Sequence, residues 1–160
     1  MPAPTMAHPM LAAGFLVAVT VFVHAGGLAL MLRILFREGR ARPVGFRPVT
    51  RLLVNVGLWL VLLHLAEVSV WAAFFLLRGC VEDAETAFYF SGTTYATIGY
   101  GDVVLPKPWR ILGPVEGLTG ILMCGLSTGV FFGVATRLLS RSFSDHPSAA
   151  PPPPAARPPG

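Results

Sequence analysis

The chain has 160 residues, 54% hydrophobic and only 12% charged, with a mean hydropathy of +0.66. That balance excludes an ordinary soluble domain and points to a membrane protein. The net charge of +4 and pI near 9.7 raise nucleic acid as a partner. The twelve Lys and Arg, however, sit mostly just beyond the ends of apolar runs and form no basic face with interleaved aromatics, which excludes it. Cys80 and Cys124 have no metal or redox spacing. Cys124 falls inside an apolar run, where a small buried residue is expected. No Ser/His/Asp, Cys/His or paired-carboxylate constellation suggests an enzyme, and no organic cofactor is implied.

Residues 1–9 are short and polar to neutral, without the basic n-region of a secretory signal. The first apolar run, 10–36, exceeds the roughly 20 residues that cross a bilayer as a helix. Thr20, His24 and Arg33 interrupt it. The segment 37–51 is basic: from Arg33 to Arg51 there are six arginines against one acid. A voltage sensor would carry its arginines through the membrane interior. These cluster at one end, so they are read as cytoplasmic anchors. The second run, 52–77, spans about 39 Å as a helix and contains Asn55, His64 and Glu67. Arg78-Gly79 suits its end.

Acids at 82–85 suit the start of a short helix over 84–96, with Asp83 as its N-cap. That helix is too short to span and is predicted to be re-entrant. After it, Val103 to Arg110 returns to the surface, with Trp109 and Arg110 as interfacial anchors. Pro114 fits the first turn of a third span over 113–139. Residues 142–160 are proline-rich and predict a disordered cytoplasmic tail. The positive-inside rule puts 37–51 and the Arg137/Arg141 end in the cytoplasm. The N-terminus and the loop between the second and third spans then lie outside. The fold class predicted is an all-α membrane protein with three transmembrane helices, a re-entrant helix and the loop after it.

That loop is Thr97-Ile98-Gly99-Tyr100-Gly101-Asp102. Glycine adopts positive φ without steric cost, so alternating glycine and non-glycine residues can alternate between left- and right-handed backbone. Successive carbonyls then turn the same way, and copies of the loop around an axis would stack rings of oxygen. Irregular backbone at membrane depth is tolerated only where protein buries it or water meets it.

The six residues resemble the selectivity filter of potassium channels, T-V/I-G-Y-G-D. The resemblance covers about 52–139: outer helix, pore helix, filter and inner helix. It implies K⁺ as the permeant ion, held as cargo by the carbonyls of Thr97, Ile98, Gly99 and Tyr100 and by the Thr97 hydroxyl. It further implies that Gly101 turns the chain out of the filter and that Asp102 sits behind the outer mouth. Tyr100 matches the residue at which non-selective relatives depart. Where some bacterial channels carry a pore-helix glutamate paired with the filter acid, this chain has Thr93, and Tyr89 is the candidate partner for Asp102 instead. Thr94 lies beside Thr93 at the end of the pore helix, near the ion. One filter loop per chain implies a homotetramer surrounded by membrane lipid, located in a cell membrane such as a bacterial inner membrane. An inter-subunit disulfide through Cys80 is left open. The alternatives are a non-conducting or regulatory channel subunit, and a P-loop-type potassium transporter component.

The inner helix carries Gly125, Gly129 and Gly133 on one face. Close helix packing and a gating hinge at Gly125 compete, the second implied by the resemblance. His64 and Glu67, three apart on one face of the second span, are candidate intramembrane polar or pH-sensing residues. Their bland reading is a satisfied contact with the first span, where His24 lies at similar depth, or between Glu67 and the back of the pore module. Haem ligation by the two histidines is a further alternative, which would leave the filter motif without a purpose. Glu116 suits the helix dipole at the start of the third span and is a weaker candidate for supporting the filter from behind.

Overall fold

The computed structural model describes residues 7–37 and 45–144. Four α-helices follow in order: α1 (Ala7–Arg37), α2 (Phe46–Leu77), α3 (Ala84–Tyr95) and α4 (Leu112–Ser144), with a 3₁₀ turn at Lys107–Trp109 before α4. There is no strand among the described residues. Three segments are long and apolar enough to cross a membrane: Ala7–Leu35, Phe46–Leu77 and Lys107–Ser140.

Helix α2 begins six residues before the sequence-based start at 52. Gly45 breaks the chain at φ 97, and Pro48 sits in the first turn, where its missing N–H leaves no helical bond unmade. Arg47 and Arg51 therefore stand on the first turns of α2, not in a loop. Helix α4 continues to Ser144, past the expected end at 139 and into the first residues of the expected tail. The tail from 145 on, the terminus 1–6 and the loop 38–44 lie outside the described residues.

The short helix α3 dips into the bundle and the chain climbs back. It starts a few residues beyond the end of α2, yet the hydroxyl of its last residue, Tyr95, reaches Glu67. Glu67 lies ten residues before Leu77, a depth of about 15 Å along α2. The return strand of chain then brings Leu105 and Leu112 back beside Trp71 and Phe75, near the end of α2. The descent and return make the loop between them a mid-depth feature.

Two larger apolar clusters hold the two ends of the bundle, and a small third one joins Val68, Tyr95 and Met123. At the end where α2 finishes, Trp71, Phe75, Cys80, Phe90, Leu105 and Leu112 pack with Ala13 and Leu16 of α1. Phe75 meets Phe90 edge-on at 5.3 Å, and Phe74 meets Trp109 edge-on at 5.6 Å, the geometry that ring quadrupoles favour. The Arg78 guanidinium lies 4.9 Å over the Trp109 ring. At the opposite end Met31, Leu35, Val49, Leu52, Val56 and Leu60 pack with Leu138. Arg33, Arg37, Arg47, Arg51 and Arg137 all belong to this second end.

In lipid the hydrophobic effect gives no drive between spans, so close packing and interhelical hydrogen bonds matter more. Helix α1 is joined to α2 by both. Trp71 Nε1 donates to Thr20 Oγ1 at 2.9 Å, and Trp59 Nε1 donates to the Gly27 carbonyl at 3.1 Å. A Cβ on Gly27 would lie 2.4 Å from Leu63 Cδ1, so glycine lets the two helices approach here. Cys80 is a free, buried thiol within the subunit's own core. Cys124 is exposed on α4, against the expectation of burial, because α4 turns that face out of the single subunit.

Candidate functional site

Asp83 begins α3 in extended backbone, and its carboxylate accepts from Thr86 N and Thr86 Oγ1, both at 2.8 Å. Those bonds, the backbone one foremost, hold the Asp83 carboxyl below its usual range. The C-terminal end of α3 is a Schellman turn. Ile98 N donates to the Thr93 carbonyl at 2.8 Å and Thr97 N to the Thr94 carbonyl at 2.9 Å. Helix α2 ends with the same pair of bonds, Cys80 N to Phe75 O and Gly79 N to Leu76 O, with Gly79 in the left-handed position. In α3 that position is filled by Thr97, at φ 61. It is the one non-glycine residue with positive φ among the described residues. A β-branched side chain there is strained, so the hydroxyl is kept at a cost of roughly 1–2 kcal/mol.

From Thr97 the backbone alternates. Thr97, Gly99 and Gly101 have φ of 61, 53 and 79, while Ile98 and Tyr100 between them stay at negative φ. Gly99 N joins Ile98 N on the Thr93 carbonyl, at 3.2 Å, so two amides of the loop are turned back toward α3. Residues 96–102 are all exposed on the subunit, Tyr100 to 69% and Ile98 to 54%. None of the described residues buries this stretch. Beyond it, Asp102 is fixed by two donors: Tyr89 Oη to Oδ2 at 2.7 Å and Val103 N to Oδ1 at 3.1 Å. The Tyr89 hydrogen bond is the main cause that lowers the Asp102 carboxyl from its ordinary value. Thr93 Oγ1 turns to the Phe90 carbonyl at 3.0 Å, so Thr93 supports the loop through its backbone. Thr94 does so likewise through its carbonyl.

Helix α4 closes on this turn at two glycines that the sequence reading did not single out. A Cβ on Gly120 would lie 2.1 Å from the Tyr95 carbonyl oxygen, and one on Gly117 3.3 Å from the Thr94 carbonyl oxygen. Gly125, Gly129 and Gly133 have nothing within 4 Å of an added Cβ. Within the subunit the close approach is therefore at 117 and 120, where α4 crosses the end of α3. The regular spacing further along faces outward. Ser91 Oγ donates to Glu116 Oε1 at 2.6 Å, with both side chains fully buried. This joins α3 to the first turns of α4 behind the loop.

His64 and Glu67 do not touch the loop. They meet His24 of α1 and Tyr95 of α3 in a buried polar layer between the two apolar clusters. His24 Nδ1 is 2.7 Å from Glu67 Oε1, His64 Nδ1 is 3.0 Å from Tyr95 Oη, and Tyr95 Oη donates to Glu67 Oε2. Tyr95 is two residues before Thr97, so the layer reaches the base of the loop through α3. The sequence does not single out Tyr95, because an aromatic in a short helix reads as core. A hydroxyl at the depth of an unpaired intramembrane acid is the signal that could have found it.

Three segments able to cross a membrane, a short helix that descends between the second and third, and an exposed loop at mid-depth define the helical membrane protein. The family model described as "Ion channel" (Ion_trans_2) matches residues 52–137, from the second helical turn of α2 through most of α4, and the chain belongs to that family. No curated protein and no solved structure matched the chain.

Proposed function

We propose that the chain is one subunit of a homotetrameric potassium-selective channel that conducts K⁺ passively. The observation that carries this reading is the alternation of positive and negative φ from Thr97 to Gly101, in a stretch that is exposed on the subunit. One loop cannot form a ring, and four copies around a closed axis can. Their carbonyls, with the Thr97 hydroxyl, would replace the hydration shell of K⁺ at stacked sites, and neighbouring ions would repel one another along the file. The C-terminal end of α3 aims its partial negative charge at the region below the loop, which favours a cation there. The arginines gathered at the far end of the bundle favour the cytoplasm for that end, which puts the filter mouth outside.

The mass of the purified complex in detergent tests the assembly, and K⁺ uptake by proteoliposomes tests conduction. A tetramer with Ba²⁺-blocked K⁺ uptake is expected. A tetramer, or a complex with another channel chain, that stays silent under every ionic condition favours a regulatory subunit and contradicts the proposal.

A further inference from the structure

The buried layer of His24, Glu67, His64 and Tyr95 has no part in carbonyl coordination of K⁺. Its side chains come from α1, α2 and α3 and converge on one point. His24 Nδ1 and Glu67 Oε1 are 2.7 Å apart, His64 Nδ1 and Glu67 Oε2 are 3.5 Å apart, and the ligand atoms of all three lie within 4.8 Å of one another. The two imidazole rings stand 5.6 Å apart, tilted by 39°. His24 and Glu67 are fully buried, while His64 is part-exposed.

We propose that His24, Glu67 and His64 form a binding site for a divalent transition-metal ion of the Zn²⁺ class, with the Tyr95 hydroxyl as the fourth donor. Bonds of about 2.0–2.1 Å to nitrogen and oxygen put adjacent tetrahedral ligands roughly 3.3 Å apart. The observed separations bracket that value, and the widest closes by a turn of His64, the one ligand with room to move. Two imidazoles and a carboxylate suit Zn²⁺ and its neighbours; Mg²⁺ and Ca²⁺ prefer all-oxygen shells. Charge points the same way. Among the described residues Glu67 has no Lys or Arg partner, its contacts being His24, His64 and Tyr95. A carboxylate buried at mid-span needs a balancing cation. His24 Nε2, moreover, is buried with no hydrogen-bond partner. The ring is thus held by its Nδ1 contact alone, and Nδ1 is the nitrogen that the ion would take. A bound ion would clamp the N-terminal helix α1 to Tyr95, two residues from Thr97, and so make the filter base sensitive to the metal. The site does not depend on which ion the pore conducts.

The test uses the full chain, tag removed and stripped with a chelator, titrated with Co²⁺ and Zn²⁺ in detergent. One Co²⁺ per chain with visible bands of tetrahedral intensity is expected, displaced by Zn²⁺, and Zn²⁺ should raise the melting temperature. H24Q and H64Q should each weaken binding by about tenfold or more, while His8→Gln, far from the cluster, should leave it unchanged. H64C keeps a ligand and separates misfolding from ligand loss: it should still bind Co²⁺ and add a thiolate-to-cobalt charge-transfer band. Absence of tetrahedral bands in the wild type overturns the proposal, as does unchanged affinity in folded H24Q and H64Q. If no metal binds but Glu67→Gln removes a pH dependence of melting, the balancing cation is a proton and the metal site is wrong.

Discussion

Gly120→Ala perturbs the point where α4 crosses the end of α3. The added Cβ would lie 2.1 Å from the Tyr95 carbonyl oxygen, 2.9 Å from its carbonyl carbon and 3.1 Å from its Cδ1. Two of those three atoms are backbone, and the backbone at Tyr95 is tied into the Schellman turn through Thr93 and Thr94. The clash cannot be relieved by a rotamer change. Helix α4 has to move by about 1 Å, at the overpacking cost of about 1–3 kcal/mol, partly offset by the roughly 1 kcal/mol better helix propensity of alanine. The displacement falls two residues from Thr97, so it should also disturb the turn that carries Thr97. Thermal unfolding in detergent, followed by ion flux, reads both effects. A lower melting temperature and reduced flux are expected in G120A. Unchanged melting and flux would refute the crossing of α3 and α4 described above.

Gly125→Ala is the matched control for packing, since an added Cβ there meets nothing within 4 Å in the subunit. Its melting temperature should stay near wild type; if Gly125 is the gating hinge, open probability in single-channel records should fall with ion selectivity intact. Ser91→Ala removes the donor to Glu116, a fully buried acid, and should cost about 1–3 kcal/mol in chemical unfolding. Wild-type stability would contradict that bond. Tyr89→Phe removes the hydrogen bond that chiefly lowers the Asp102 carboxyl. A lowered folded value means that this contact stabilises the protein above the unfolded aspartate value near 3.9, and that the gain is lost as pH falls through the folded value. In Y89F the Asp102 titration, followed by carboxyl NMR, should move up toward the ordinary range; an unmoved titration would show that Tyr89 does not set it.

The parts legible in the sequence were those written in consecutive residues. Thr97 to Asp102 stand as six neighbours, the spans as long apolar runs, and the cap of α3 as Asp83 before Ala84. The Tyr89–Asp102 contact was also within reach, because the residue matching the usual acid is Thr93 and a tyrosine lies one turn before it. What was not legible depends on how helices cross. The four-residue spacing of Gly125, Gly129 and Gly133 marked a small face without saying what it meets, and the close approach fell at Gly117 and Gly120. Helix α2 starts ahead of the apolar run at 52 because Gly45 and Pro48, which together mark a helix N-terminus, lie outside the apolar stretch. Cys124 was expected to be buried because it lies in an apolar run, but an apolar helix face in a membrane subunit can equally look outward. Tyr95 and Glu116 gained their roles only from partners 25 or more residues away.

The reversal potential of the purified protein in a planar bilayer, with K⁺ on one side and Na⁺ on the other, tests potassium selectivity most directly. A potential displaced far toward the K⁺ equilibrium value is expected, with the displacement lost when Tyr100 or Gly99 is substituted. A potential near zero in the wild type, with both ions passing equally, would contradict a potassium filter at Thr97–Asp102.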